Sequence, residues 1–188
     1  MATRCSWVGD SEIYVNYHDL EWGKPEYDSQ KLFEKICLEG QQAGLSWITV
    51  LKKRDAYREA FHRFDPNKIA RMTDADLDRL MQNPGLIRHR AKLAAIIQNA
   101  KAYLAMQANG EDFSQFIWSF VDGSPRINDV PNLTTVPAKT AVSAAMSKAL
   151  KKKGFVFVGE TTCYAFMQSM GLVDDHVNDC FCKTNCKK

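Results

Sequence analysis

Apolar residues recur at the spacing of an α-helix along most of the chain. The clearest case is a long run with apolar side chains at positions i, i+3, i+4, i+7 and i+11, which places them on one helical face. Its members are Leu93, Ile96, Ile97, Ala100 and Leu104. Shorter apolar faces of the same kind occur in residues 32–38, 57–64 and 113–120. The pattern predicts an all-α fold.

Capping and helix-breaking residues predict where these helices begin and end. Asp28 and Ser29 can cap a helix that reaches about Leu38, and Thr73 with Asp76 resembles a capping box. A break at residues 83–85 (NPG) precedes the long helix. Two further helices are predicted to begin near Ser46 and at Pro66. Two more are predicted to cover Thr140 to Lys153 and about Thr161 to Met170.

Two segments lack helical periodicity. Residues 121–139 contain three prolines and a glycine, and we expect a surface excursion packed by Leu133 and Val136. Residues 155–158 (FVFV) are compatible with a strand, but no second strand is evident, so we favour an extended connector. The expected architecture is a single domain over residues 1–188, with two helical lobes.

The composition is that of a globular protein, with 45% hydrophobic and 25% charged residues in a chain of 188. We find no signal-peptide pattern and no apolar run near the ~18 residues that a membrane span needs, so we expect a cytoplasmic protein without membrane association. The net charge is +3, and basic residues cluster at 52–54, 88–92 and 148–153. Such clusters either contact nucleic-acid phosphates or are solvated helix faces, and charge alone does not separate the two.

Cysteine and histidine residues near both ends of the chain form a candidate metal site. Cys5 and His18 lie near the start, and His176 and Cys180 near the end. Two cysteines and two histidines are the composition of a closed structural zinc site. The spacing of His176 and Cys180 predicts that both side chains lie on one face of a helical turn. Such a site would join the two ends of the chain.

Other interpretations of these residues stay open from spacing alone. Cys182 and Cys186 compete with Cys180 for the fourth position, or the histidines are surface residues and the thiols are buried without metal. His62 lies in a charged helix segment and His89 between two arginines, so both are interpreted as surface or phosphate-facing residues.

Aromatic residues are concentrated in the first quarter of the chain, at Trp7, Tyr14, Tyr17, Trp22, Tyr27 and Trp47. Large aromatics are usually core residues. However, residues 17–23 are polar, aperiodic and contain a glycine, which favours a pocket for a flat ligand such as a base turned out of the DNA stack. Glu39 ends an apolar helix close to these rings in sequence, and a carboxylate beside aromatic faces suits a cationic ring. The alternative is that Glu39 is a solvated residue at a helix end.

Several longer motifs resemble the DNA-3-methyladenine glycosylase I family. They are residues 17–23 (YHDLEWG), 38–47 (LEGQQAGLSW), 88–90 (RHR), 118–120 (WSF), 152–159 (KKGFVFVG) and 171–176 (GLVDDH). The motifs occur in order between about Cys5 and Cys180, so the resemblance covers nearly the whole chain.

The resemblance implies a helix-hairpin-helix glycosylase fold. It also implies an enzyme that hydrolyses the N-glycosidic bond of 3-methyladenine in double-stranded DNA without cutting the DNA backbone. It also implies a structural Zn²⁺, which selects Cys180 over the other tail cysteines. The implied zinc ligands are Cys5, His18, His176 and Cys180.

Further site residues follow from the same resemblance. Glu39 is the implied catalytic residue, and the implied base-binding residues are Tyr17 and Trp47, with Tyr14 and Trp22 nearby. Gly44 and Leu45 are implied to enter the gap left in the DNA, and residues 82–92 to form the hairpin that contacts phosphate. The hairpin segment NPGLI departs from the Gly-x-Gly pattern of many hairpins. We expect a monomer.

Two other classes of function compete with the glycosylase. One is a zinc-stabilised DNA-binding damage sensor without catalytic activity, and the other is a zinc hydrolase of a small molecule. The sensor explains the basic clusters and the zinc ligands equally well. Only the glycosylase explains a glutamate held among pocket aromatics.

Overall fold

A computed structural model describes residues 1–184 of the chain and consists mainly of helices. The helices are α1 (Glu12–Leu20), α2 (Ser29–Gln41), α3 (Trp47–Ala60), α4 (Pro66–Ile69), α5 (Asp74–Leu80), α6 (Arg90–Ala108), α7 (Phe113–Trp118), α8 (Ala141–Lys152) and α9 (Glu160–Ser169). Short 3₁₀ turns lie at Ser6–Val8, His62–Phe64, Ser119–Val121 and Leu133–Thr135. The predicted, largely helical fold is confirmed.

The central element is α2, which packs against α3, α6, α7 and α9. Its apolar side chains from Leu32 to Leu38 are almost completely buried. A helix surrounded on several sides has little exposed surface left for polar residues. As a result, even the charged residues Lys35 and Glu39 of α2 lie in the interior.

Helix ends follow the predicted capping chemistry. The Asp28 side chain accepts a hydrogen bond from the backbone N–H of Lys31, and Thr73 forms the predicted capping box with Asp76. Thr140 forms a second capping box at the start of α8. These bonds satisfy backbone donors that have no partner within the helix.

One helix was missed by the sequence analysis. Residues of the YHDLEWG motif were treated as aperiodic, but Glu12–Leu20 forms α1. Tyr14, Tyr17 and His18 fall at i, i+3 and i+4, so one face of α1 carries two pocket candidates and one metal-ligand candidate. The motif begins at Tyr17, so Tyr14 lies outside it and the helical spacing is not apparent from the motif alone.

The only strand pairing in residues 1–184 is a short parallel contact. Strand β1 (Arg126–Ile127) pairs with β2 (Val173–Asp174), and neither strand was predicted. Two residues are too few to produce an alternating pattern in the sequence. Residues 155–158 form a connector and not a strand, but the connector is bent at Phe157 (φ 56°) and not extended throughout as predicted. The Asn99 side chain donates to the Val156 carbonyl and accepts from the Val156 N–H.

The two ends of the chain pack together in a small apolar cluster. Cys5 and Val8 from the N-terminal arm contact Val177 and Cys180 from the tail, with Val130 of the 121–139 segment between them. A backbone hydrogen bond of 3.0 Å from Phe181 to Thr3 continues this contact. None of the helices within residues 1–184 is both long enough and apolar enough to cross a membrane.

Candidate active site and metal centre

A cavity of about 350 Å³ opens between α1, α2, α9 and the 121–139 segment. Its volume suits a small flat ligand. The structure brings together in its lining all five residues that the sequence singled out for the base pocket, which are Tyr14, Tyr17, Trp22, Glu39 and Trp47. Trp7, Gln42, Leu133, Val136, Ala165, Gln168 and Asp175 complete the lining.

The aromatic walls of this pocket support one another. The Trp7 ring packs edge to face against Tyr14 and Trp22, with centroid-to-centroid distances of 5.0 Å and 5.1 Å, respectively. Tyr17 and Trp47 form a tilted pair with centroids 5.7 Å apart. Such contacts hold rings in fixed orientations. The buried indole N–H of Trp47 has no acceptor among the described residues and can therefore serve a ligand.

Glu39 supplies a carboxylate to this aromatic pocket from the last turns of α2. Its side chain is only 4% exposed. Burial raises the pKa of Glu39 above its ordinary range, while the charge of Lys35 and the neighbouring Ser169 hydroxyl act in the opposite direction. A carboxylate deprived of water attracts a cationic or hydrogen-bond-donating ligand, because either restores part of the lost solvation. The site is thus suited to an electron-poor ring.

Lys35 lies one helical turn before Glu39 and behind the pocket wall. Its ammonium donates a hydrogen bond of 3.1 Å to the Tyr17 hydroxyl. Lys35 was not predicted as a site residue, because one lysine among the apolar residues of α2 resembles a solvated position. Its burial is a consequence of the neighbours of α2, which the local sequence does not reveal.

A second buried carboxylate also reaches the pocket. Asp175 accepts hydrogen bonds from Asn128 (2.7 Å), from Gln168 (2.9 Å) and from the Tyr164 hydroxyl. These three donors satisfy the Asp175 carboxylate within the protein. Leu133 was expected to pack the 121–139 excursion and does so, but its position in the pocket lining was not predicted.

The loop after α2 forms a projecting edge beside the pocket. Gly44 has a left-handed backbone conformation (φ +77°), and Leu45 is an exposed apolar side chain. Neither lines the pocket itself; both border an adjoining cleft that shares Glu39 with it. The Lys92 ammonium donates to the carbonyls of Gln41 (3.0 Å) and Ala43 (2.6 Å), which holds the loop against the start of α6.

Four potential metal-ligating side chains converge where the chain ends meet. One ligand atom from each of His18, His176, Cys180 and Cys182 lies within 4.8 Å of the others. The Nε2 atom of His176 is buried and has no hydrogen-bond partner in the described part of the chain, as expected for an atom that ligates a metal. The donor set therefore fits a zinc ion.

Carboxylates orient both histidines of this cluster. His18 Nδ1 lies 2.7 Å from Asp19, and His176 Nδ1 lies 2.8 Å from Asp174. A carboxylate on Nδ1 leaves Nε2 as the free ligating atom, an arrangement typical of metal-binding histidines. These orienting partners were not predicted.

Two details of the predicted metal site differ from the structure. His176 and Cys180 do not share a helical turn, because the tail leaves β2 as a non-helical segment whose backbone bonds to Val130. The set of mutually close ligand atoms includes Cys182, whereas Cys5 is a buried neighbour of Cys180 outside that set. Cys186 lies outside the described residues.

The basic clusters are only partly available for phosphate. Arg54 is paired with Glu21 at 2.8 Å and Lys153 with Glu111 at 2.6 Å. Arg88 and Lys148 are exposed. His62 and His89 are exposed, as predicted, and the His89 ring additionally caps α6 by accepting from the Lys92 backbone.

Comparisons with known proteins bear directly on this site. The profile of the methyladenine glycosylase family matches residues 7–183. A DNA-3-methyladenine glycosylase of Haemophilus influenzae is 76% identical over 98% of this chain and 100% of its own length. DNA-3-methyladenine glycosylase 1 of Escherichia coli is 60% identical over 95% of this chain and 96% of its own.

Structural similarity leads to the same family. A crystal structure of a 3-methyladenine DNA glycosylase I superimposes with a TM-score of 0.96 at 60% sequence identity, covering 97% of this chain and 100% of that one. The family match spans the aromatic pocket, Glu39 and the histidine–cysteine cluster. From these matches we conclude that the chain belongs to the methyladenine glycosylase family.

Proposed function

We propose that this protein excises 3-methyladenine from alkylated double-stranded DNA by hydrolysis and leaves an abasic site, with no strand-cleaving step. The observation that carries the proposal is the buried carboxylate of Glu39 at the floor of an aromatic pocket. Methylation at N3 makes the adenine ring cationic, and such a ring is attracted by both a carboxylate and aromatic faces. Family membership favours this enzyme over a damage sensor or a small-molecule hydrolase.

The damaged nucleotide must leave the DNA stack to reach this pocket. Turning it out costs a few kcal/mol of unstacking and unpairing. We propose that Leu45, with Gly44 beside it, enters the gap and keeps the DNA open, because an exposed apolar side chain can replace lost base stacking. The segment between α5 and α6 then forms the proposed hairpin, in which backbone amides contact phosphate.

Once in the pocket, the base stacks against Tyr17 and Trp47, with Tyr14 and Trp22 completing the aromatic walls. Glu39 accepts hydrogen bonds from the edge of the cationic ring. The C1′–N9 bond breaks, its electron pair neutralises the purine, and a water oxygen bonds to C1′ with loss of a proton. The leaving group is already activated by its charge, so strong general-acid help is unnecessary.

A structural zinc ion is the second part of the proposal. Cys5, His18, His176 and Cys180 would hold it and join the N-terminal arm, which carries Tyr14 and Tyr17, to the tail. A closed four-ligand site supplies folding free energy and no reactive water. Burial of Cys5 supports its assignment over the partly exposed Cys182. We expect the enzyme to act as a monomer.

The proposed activity predicts that the protein releases free 3-methyladenine from methylated DNA and that Glu39→Gln abolishes this release. We expect a loss of about 100-fold or more, because the variant removes charge stabilisation in a site shielded from water. DNA binding and melting temperature should stay close to wild type. Chromatographic detection of the released base measures the activity.

Glu59→Gln is a matched control, since Glu59 is exposed on α3 and lies outside the pocket lining. It should release base at the wild-type rate. Turnover by Glu39→Gln equal to wild type would remove Glu39 from the reaction. Absence of base release by the wild-type protein, with DNA binding intact, would support the damage sensor instead.

The raised pKa of Glu39 predicts the acid side of the pH profile. As the pH falls through this pKa the carboxylate becomes protonated, so kcat/KM should fall at a pH well above the value of about 4.3 for an unperturbed glutamate. Initial rates of base release, corrected for spontaneous depurination, give the profile. An acid limb at or below the ordinary glutamate value would contradict an essential ionised Glu39 in this environment.

The metal assignment predicts different behaviour for two cysteine variants. Cys5→Ala should lower both the bound zinc per chain and the melting temperature, because it removes a ligand. Cys182→Ala should keep one zinc per chain and a near wild-type melting temperature. Mass-spectrometric zinc content and thermal melting measure the two effects. If Cys182→Ala lost zinc and melting temperature while Cys5→Ala kept both, Cys182 would be the ligand and Cys5 a neighbouring buried thiol.

A further inference from the structure

Lys35 is an ionisable side chain that the proposed reaction does not use. It is 5% exposed and lies in the middle of α2, where an apolar residue would pack without loss of hydration. Burying a charged ammonium is costly unless the surrounding groups compensate for the lost water. The groups that compensate for the lost hydration of Lys35 therefore indicate its role.

The compensation comes from the pocket wall. The Lys35 Nζ atom donates to the Tyr17 hydroxyl at 3.1 Å and lies 4.6 Å from the Tyr17 ring centroid and 4.9 Å from that of Trp47. A cation at these distances is attracted by both rings. In the described part of the chain no carboxylate forms a salt bridge with Lys35, so these two aromatic residues are its closest partners.

Lys35 does not itself line the pocket. It lines instead a separate cleft, which also contains Arg54. Any effect of Lys35 on a bound base must therefore pass through the rings or through its charge. Tyr17 accepts its hydrogen bond, so the hydroxyl proton of Tyr17 stays free to be donated to another group.

We infer that Lys35 is a positioning residue for base recognition, which fixes the Tyr17 and Trp47 rings from behind and supplies the counter-charge for the Glu39 carboxylate one turn later. The inference rests on the proposed base pocket. Donation from an ammonium polarises the Tyr17 hydroxyl and makes it a stronger donor toward an acceptor on the purine. The positive charge also favours the ionised form of Glu39, which the cationic base requires.

Several charged groups surround Lys35 and influence the same balance. Glu39 belongs to its own helix, Arg54 to α3 and Glu21 to the segment after α1, while Glu34 precedes it on α2. Burial lowers the pKa of Lys35, and the nearby Glu39 opposes that decrease. Arg54 adds a like charge but is itself paired with Glu21. Glu39 is therefore the main unpaired counter-charge that faces the ammonium.

The test compares Lys35→Met, which keeps an unbranched apolar stem, with Lys31→Met as matched control. Lys31 is one turn earlier on α2, 68% exposed in its side chain and 3.7 Å from Glu26. We expect Lys35→Met to fold, because an apolar residue replaces a buried charge. It should bind free 3-methyladenine about tenfold more weakly, because Tyr17 loses the ammonium that orients it and polarises its hydroxyl. Lys31→Met should bind like wild type.

The pH profile provides a readout that packing alone would not change. Lys35 lowers the pKa of Glu39, so its removal should move the acid limb of kcat/KM to higher pH. Lys35→Gln separates the hydrogen bond to Tyr17 from the positive charge. Because its amide can still donate to Tyr17, affinity for 3-methyladenine should be partly restored relative to Lys35→Met. Because it carries no charge, the acid limb of kcat/KM should stay at the higher pH. This variant also provides the test if Lys35→Met does not fold.

Affinity for abasic-site DNA should be unchanged in both Lys35 variants, because that ligand leaves the base pocket empty. Wild-type affinity for 3-methyladenine together with an unshifted acid limb in folded Lys35→Met or Lys35→Gln would overturn the inference. A wild-type protein that neither binds nor releases 3-methyladenine would overturn the proposed function as well. The two failures are therefore distinguishable.

Discussion

The structure of the site depends on a carboxylate held out of water at the end of the central helix. Glu39 is buried because α2 is surrounded by α3, α6, α7 and α9, and this environment raises its pKa. A buried carboxylate that no neighbouring donor neutralises fully is costly for the free protein. The cost is recovered when a cationic or hydrogen-bond-donating ring enters the pocket. In the proposed function, this electrostatic attraction favours a cationic methylated purine over an unmodified one.

The remainder of the site maintains this arrangement. Aromatic rings form the pocket walls, and their edge-to-face contacts fix them around the carboxylate. The helix that carries Tyr14, Tyr17 and His18 is short, and it contacts both α3 and the tail. The histidine–cysteine cluster lies where this helix and the tail meet. In it, His18 lies beside Cys180, which is 162 positions later in the sequence.

Much of the fold was predictable from sequence because helical periodicity and capping are local properties. Asp28, Thr73 and Thr140 begin helices as their side-chain chemistry requires. The pocket aromatics and Glu39 were identified from their concentration and from the family motifs. By contrast, α1 was missed because the YHDLEWG motif covers only its C-terminal part and excludes Tyr14. The β1–β2 contact was missed because two-residue strands carry no periodic signal.

The parts of the site that could not be predicted depend on tertiary packing. The burial of Lys35 depends on the helices packed around α2, which its local sequence does not reveal. Asp175 belongs to the GLVDDH motif and Leu133 to the 121–139 segment, but neither local sequence indicates that the side chain reaches the pocket. A crystal structure of the protein with 3-methyladenine bound would test the role of the Glu39 carboxylate. We expect the purine to stack on Tyr17 and Trp47 with its edge hydrogen-bonded to Glu39. A base bound elsewhere, or one that makes no contact with Glu39, would exclude this role.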